Sequence, residues 1–256
     1  MTRPLPRTNF HSSKLIRCLT ELRIVDSVEP ESVFAEKLGL WVHFADAITL
    51  SAVHNESTAK LPIMSPQSQA TLSAAFEIEF DRIQTELTNS IMTSCSSRTG
   101  KSPIRLPIPV LELPLDLAAA YAPYRWFYDA HQRDMESRVV PLRINVRNAL
   151  KKVSPALKKL ADLDAALEGI LRERENKLLS KIPVLLNKHF DQLFKAYQQN
   201  HVDNGQTDNP AAWVQLNGWL AQFCRDMQTL LLSELELRLQ PTIGLIEALG
   251  HNNHNA

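Results

Sequence analysis

The densest reactive chemistry in this sequence is cationic. Arg138, Arg143, Arg147, Lys151, Lys152, Lys158 and Lys159 follow one another with no acid between Glu136 and Asp162. Such a stretch binds phosphate groups on nucleic acid or an anionic membrane surface. The same residues also suit a solvated helix face, a helix C-terminus, or pairing with acids elsewhere. No zinc finger, Gly-rich phosphate loop or interleaved aromatic accompanies them, so nothing points to reading of a nucleic-acid sequence.

A second cluster is aromatic. Tyr121, Tyr124, Arg125, Trp126, Phe127 and Tyr128 crowd together just before His131. Aromatics beside an arginine are typical of binding hot spots, so Tyr124, Arg125, Trp126 and Tyr128 are candidate contact residues. At helical spacing they also serve as core anchors, and that use is the commoner one.

The remaining reactive residues lack a site pattern. His43, His54, His131 and His189 stand singly, and His251 and His254 lie in an Asn-rich tail. No spacing puts two metal ligands on one helix face, so no metal or cofactor is expected. Glu77/Glu79/Asp81, Asp162/Asp164, Glu173/Glu175 and Glu234/Glu236 stand two apart. That spacing sends neighbouring acids to different helix faces, which suits solvated edges. Asp46 and Asp226, amid apolar residues, are the acids expected to make buried or half-buried polar contacts. No serine sits in a nucleophile elbow. Cys18, Cys95 and Cys224 are too dispersed for a zinc site or disulfide framework and read as reduced thiols. No catalytic residue is assigned, no small-molecule substrate is evident, and a non-enzyme is expected.

The elements that carry these residues read as helices throughout. Only 7 of 256 residues are glycine, while 44% are hydrophobic, a balance that favours helices over tight-turned sheet. Ser12 or Ser13 can cap a helix to about Asp26 with Leu15, Leu19 and Leu22 on one face. Phe34, Leu38, Trp41, Ala45, Ile48 and Ala52 form the stripe of a second helix, and Leu72, Phe76, Phe80, Ile83, Leu87 and Ile91 that of a third ending near Met92. Tyr124, Tyr128, His131, Met135, Val139, Leu142, Val146 and Ala149 keep a near-heptad spacing, interrupted by Pro141, which should kink or split the helix. Ser154-Pro155 starts another helix and Pro183 interrupts it. A last long helix runs from about Pro210 to Leu239 and is ended by Pro241.

The expected fold is all-α, with long amphipathic antiparallel helices in a bundle of coiled-coil character and a Pro-rich linker in the middle. Its parts are an N-terminal helical region (1–92), a flexible Pro/Ser-rich linker (93–116), a C-terminal long-helix bundle (117–250) and a tail (251–256). No secretory signal and no uncharged apolar run of about 18 residues is present, so a cytoplasmic protein is expected.

Several blocks resemble a known family. They are Leu15-Ile-Arg-Cys-Leu-Thr-Glu-Leu22, Phe34-Ala-Glu-Lys-Leu-Gly-Leu-Trp41 with Asp46-Ala-Ile-Thr-Leu-Ser-Ala52, Pro123-Tyr-Arg with Met135-Glu-Ser-Arg138, and Phe223-Cys-Arg-Asp-Met227 through Leu237-Arg-Leu-Gln-Pro241 to Glu247-Ala-Leu249. In this order they resemble an uncharacterised bacterial family, domain of unknown function 3348, over nearly the whole chain apart from the linker. The resemblance carries no catalytic residue. Through the neighbours of the family's genes it implies an accessory to an envelope-associated assembly. The expected function is therefore a non-enzymatic interaction or scaffold protein with a protein partner or a second copy. The alternative is an electrostatic binder of nucleic acid or anionic membrane through residues 138–159, and an enzyme with an unrecognised site is the more remote one.

Overall fold

Capping and proline chemistry set where the helices begin. Asp116 Oδ1 accepts from the N–H groups of Ala118 and Ala119, Ser65 Oγ from Ser68, and Ser154 Oγ from Leu157. Each satisfies a first-turn donor that has no partner within the helix. Ser13 occupies the cap position of the first helix, but its side chain makes no capping bond.

The computed structural model describes residues 13–22, 43–55, 64–96, 103–111, 113–203 and 209–251. Its helices are α1 (Lys14–Glu21), α2 (Phe44–Asn55), α3 (Pro66–Ser96), α4 (Leu117–Leu150), α5 (Pro155–Leu179), α6 (Ile182–Asp203) and α7 (Trp219–His251), with a 3-10 turn at Pro210–Ala212. The described residues are all-α and contain no strand. The second helix's stripe from Phe34 to Trp41 lies outside them, as does the 252–256 tail.

Of the two outcomes expected at Pro141, a kink or a split, the split does not occur. Pro241 acts differently from expectation, since it does not end α7; the helix continues to His251. An interior proline costs a helix about 3 kcal/mol. Burying one Leu- or Val-sized side chain returns about 1.5–3 kcal/mol. Val139, Leu142 and Val146 are buried around the first proline, and Leu235, Leu239, Leu245 and Leu249 around the second, so packing outweighs the lost bond. Pro183, by contrast, sits in the first turn of α6, where its missing N–H costs nothing.

The chain groups into two compact units: residues 1–33, 90–132 and 181–237, and residues 34–89, 133–180 and 238–256. This differs from the linear division at residues 93–116, because each unit draws on three separated stretches. Helix α3 also runs on to Ser96, beyond the expected start of the linker.

In the first unit the buried stripe of α4 (Tyr121, Tyr124, Tyr128) meets Phe190 of α6 and Phe223 of α7. Trp213 is fully buried, and its carbonyl accepts from both Leu220 and Ala221 at 3.2 Å, which caps the start of α7. The last helix therefore begins at Trp219 rather than Pro210. In the second unit α2 packs on α5, the Met64 N–H donates to the Val153 carbonyl, and Gln69 donates to the Leu249 carbonyl at 2.6 Å.

Candidate functional site

The aromatic candidates divide by burial. Tyr124 and Tyr128 are core residues, whereas Trp126 is 69% exposed and Arg125 faces solvent in a loose 3.9 Å pair with Asp129. Only Trp126 and Arg125 are therefore presented as contact residues. The tyrosine hydroxyls have distinct surroundings. Tyr121 donates to the Pro183 carbonyl, and Tyr128 donates to Glu234 Oε2 at 2.9 Å.

Glu234 departs from expectation. It is fully buried, held by Tyr128 and by Gln132 Nε2 at 3.0 Å, while Glu236 faces solvent and pairs with Lys14. The spacing Met227, Leu231, Glu234 continues the buried face of α7, a signal the i, i+2 reading overlooked. Asp226 is buried as expected and accepts from His189 at 2.8 Å and Gln222 at 2.7 Å. Asp46 is half-buried and accepts from the His43 N–H at the start of α2.

Two arrangements in the first unit have the elements of nucleophilic chemistry. Ser94 Oγ lies 3.0 Å from His131 Nε2, both groups buried. The hydroxyl donates to the Ile91 carbonyl, so the serine proton is directed away from the imidazole that a general base would use to take it. Cys95 and Cys224 are half-buried; burial pushes their thiols up to about 11 and about 12 respectively. At neutral pH they are thiols rather than reactive thiolates. Among the described residues no group of three His, Cys, Asp or Glu is placed to hold a metal.

The segment expected to be a linker forms one wall of a cavity in this unit. Leu106 and Pro109 face Leu220 and Ala221 of α7 across a space of about 740 Å³. Arg105, Arg225, Gln228 and Tyr124 add residues with polar groups to its lining. Single prolines and one arginine in the run Ile104 to Leu111 held no pattern that would reveal a cavity; only the packing of α7 against it does.

The basic run belongs to the second unit and is largely engaged. Arg143 makes a two-pronged pair with Asp164 at 2.5 and 3.0 Å, and Arg147 reaches Glu168 at 2.6 Å and Asp164 at 3.5 Å. Asp162 pairs with Lys151 at 2.8 Å and Lys158 at 3.3 Å. Arg138 pairs with Glu86 at 2.7 Å and Asp134 at 2.9 Å. Lys152 and Lys159 make no ion pair among the described residues. Among the described residues the partners come from α3, α4 and α5. Asp162 and Asp164 are thus interhelical pairing groups rather than solvated edges, with side chains only 20% and 14% exposed.

This pairing has a pH signature. Burial alone raises the Asp162 carboxyl, but hydrogen bonds and charge from Lys151 and Lys158 hold it below the usual aspartate value. A depressed folded-state pKa stabilises above the unfolded value, and that contribution is lost as pH falls through the folded value. Asp162→Asn should therefore lower the urea midpoint at about pH 6, and the difference should shrink below about pH 4. A difference that stays constant on acidification would contradict the pairing.

No helix among the described residues is long and apolar enough to cross a membrane. What these observations define is an all-α protein with a walled cavity among its described residues. The chain belongs to the family described as protein of unknown function (DUF3348), which it matches over residues 1–251. No curated protein and no solved structure matches it.

Proposed function

We propose that this chain is a non-enzymatic interaction protein, an accessory subunit that works by holding a protein partner or a second copy. The observation that carries this is a set of exposed large apolar side chains in the first unit. Ile108 is 79% exposed and Val214 45%, both lining the cavity, and Leu216, whose carbonyl accepts from the cavity's Arg225, is 81% exposed. Isolated exposed apolar residues are ordinary, but a contiguous group with a polar surround marks a contact surface. An accessory role in an envelope-associated assembly rests on the family resemblance alone. Electrostatic binding through residues 138–159 finds less support, since most of those cations already have carboxylate partners.

The test pairs light scattering of the purified chain with quantitative affinity purification from its own cell. Wild type is compared with an Ile108→Asp, Leu216→Asp double variant. The reading expects self-association, or one stoichiometric partner, that the variant loses by about tenfold or more. A strict monomer at high concentration, with the same co-purifying proteins for both chains, would overturn it.

A further inference from the structure

We propose that the cavity of the first unit is a binding site for a long-chain carboxylate, with its alkyl chain among the apolar walls and its head group at Arg105 and Arg225. Several independent features agree. The volume, about 740 Å³, lies within the roughly 300–1,000 Å³ typical of small-ligand sites. Its walls are mainly apolar, as an alkyl chain requires, with Leu106, Pro109 and Leu220 among them.

The polar groups at the cavity share one preference. Among the described residues that line it, none is acidic, while two are arginines. Arg105 has no carboxylate partner among the described residues. Arg225 uses Nη1 on the Leu216 carbonyl and Nη2 on Gln222 Oε1, which fixes its guanidinium and leaves Nε to donate. An arginine so held is preorganised for an anionic oxygen.

Tyr124 supplies the observation that points most directly to a ligand. Its side chain is 97% buried, being only 3% exposed, between Phe190 and Phe223, and it lines the cavity. Its hydroxyl has no hydrogen-bond partner among the described residues, unlike those of Tyr121 and Tyr128. A ligand oxygen entering the cavity can accept from this hydroxyl. One carboxylate group, with two acceptor oxygens, suits a hydroxyl and an arginine together.

This inference is separate from the protein-partner reading, and its experiment uses the purified chain alone. Titration calorimetry measures binding of dodecanoate, dodecanol, dodecyl phosphate and butyrate. Dodecanoate should bind tightest. Dodecanol, lacking the charge, and butyrate, lacking the chain, should each bind at least about tenfold more weakly. Arg105→Ala and Tyr124→Phe should each weaken dodecanoate by about tenfold with little effect on dodecanol, and Ala221→Phe, which fills the cavity, should abolish both. Thermal unfolding of each variant separates lost binding from lost fold. No binding of dodecanoate, or equal affinity in wild type and a folded Ala221→Phe variant, overturns the proposal. Preference for dodecyl phosphate over dodecanoate overturns the carboxylate assignment.

Discussion

Replacing Phe223 by alanine should lower the free energy of unfolding by about 3–5 kcal/mol, the range for truncating a buried aromatic. Phe223 is fully buried, and its ring meets Phe190 at 5.0 Å and Tyr124 at 5.4 Å in edge-on geometry. Tyr121 lies at 6.2 Å, also edge-on. The loss has two parts, namely the transfer free energy of the ring and the dispersion contacts of the neighbours around the void. The edge-on pairs add about 0.5–1.5 kcal/mol each beyond burial, though not additively. Urea unfolding followed by tryptophan fluorescence is well placed to read this, because Trp219 meets Phe190 edge-on at 5.0 Å. Ile108→Ala, on the exposed rim, should change stability by less than about 0.5 kcal/mol. A Phe223→Ala cost near that of Ile108→Ala would mean the aromatic cluster is not the core of this unit.

Gly218→Ala should be nearly as damaging, at about 3 kcal/mol, the upper end for forced overpacking. A Cβ added there would lie 2.1 Å from the Trp213 carbonyl oxygen and 2.4 Å from that of Ala212. Neither obstacle is a flexible side-chain tip. The Trp213 carbonyl holds the N–H groups of Leu220 and Ala221, so moving it uncaps the start of α7 and shifts a fully buried indole. Gly169 and Gly244 make the contrast, since a Cβ at these helical positions meets nothing within 4 Å. There alanine should stabilise by about 0.5–1 kcal/mol through a less flexible unfolded chain. If all three variants unfold alike in urea, the close approach at Gly218 is not the constraint described.

Much of the local structure was legible because helix periodicity and capping are short-range. Of the stripe grouped by spacing alone, Tyr124, Tyr128, His131, Met135, Val139, Leu142 and Val146 are buried on α4, and Ala149 at its end is half-buried. Ser154-Pro155 and Pro183 mark helix starts, because an N-cap and a first-turn proline act within a few residues. Pro241 does not end its helix and Pro141 does not split its own, since the local cost is set against burial by partners distant in sequence.

The sequence by itself determined the all-α class, the buried stripes of α3 and α4, several helix starts and the lack of a recognisable catalytic motif, whereas Ala45, Ile48 and Ala52 of the expected second stripe are exposed on α2. Tertiary structure alone decided that Glu234 is buried on Tyr128 and Gln132, that the basic run is matched by Asp162, Asp164 and Glu168, and that the Pro-rich segment walls a cavity. The reason is range. A helix stripe is set by neighbours three and four residues away, whereas Glu234 meets Tyr128 across 106 residues of chain and Arg143 meets Asp164 across 21. Charge and polarity in a one-dimensional string do not say which groups will lose their water, and that loss turns an ordinary acid or hydroxyl into a binding group.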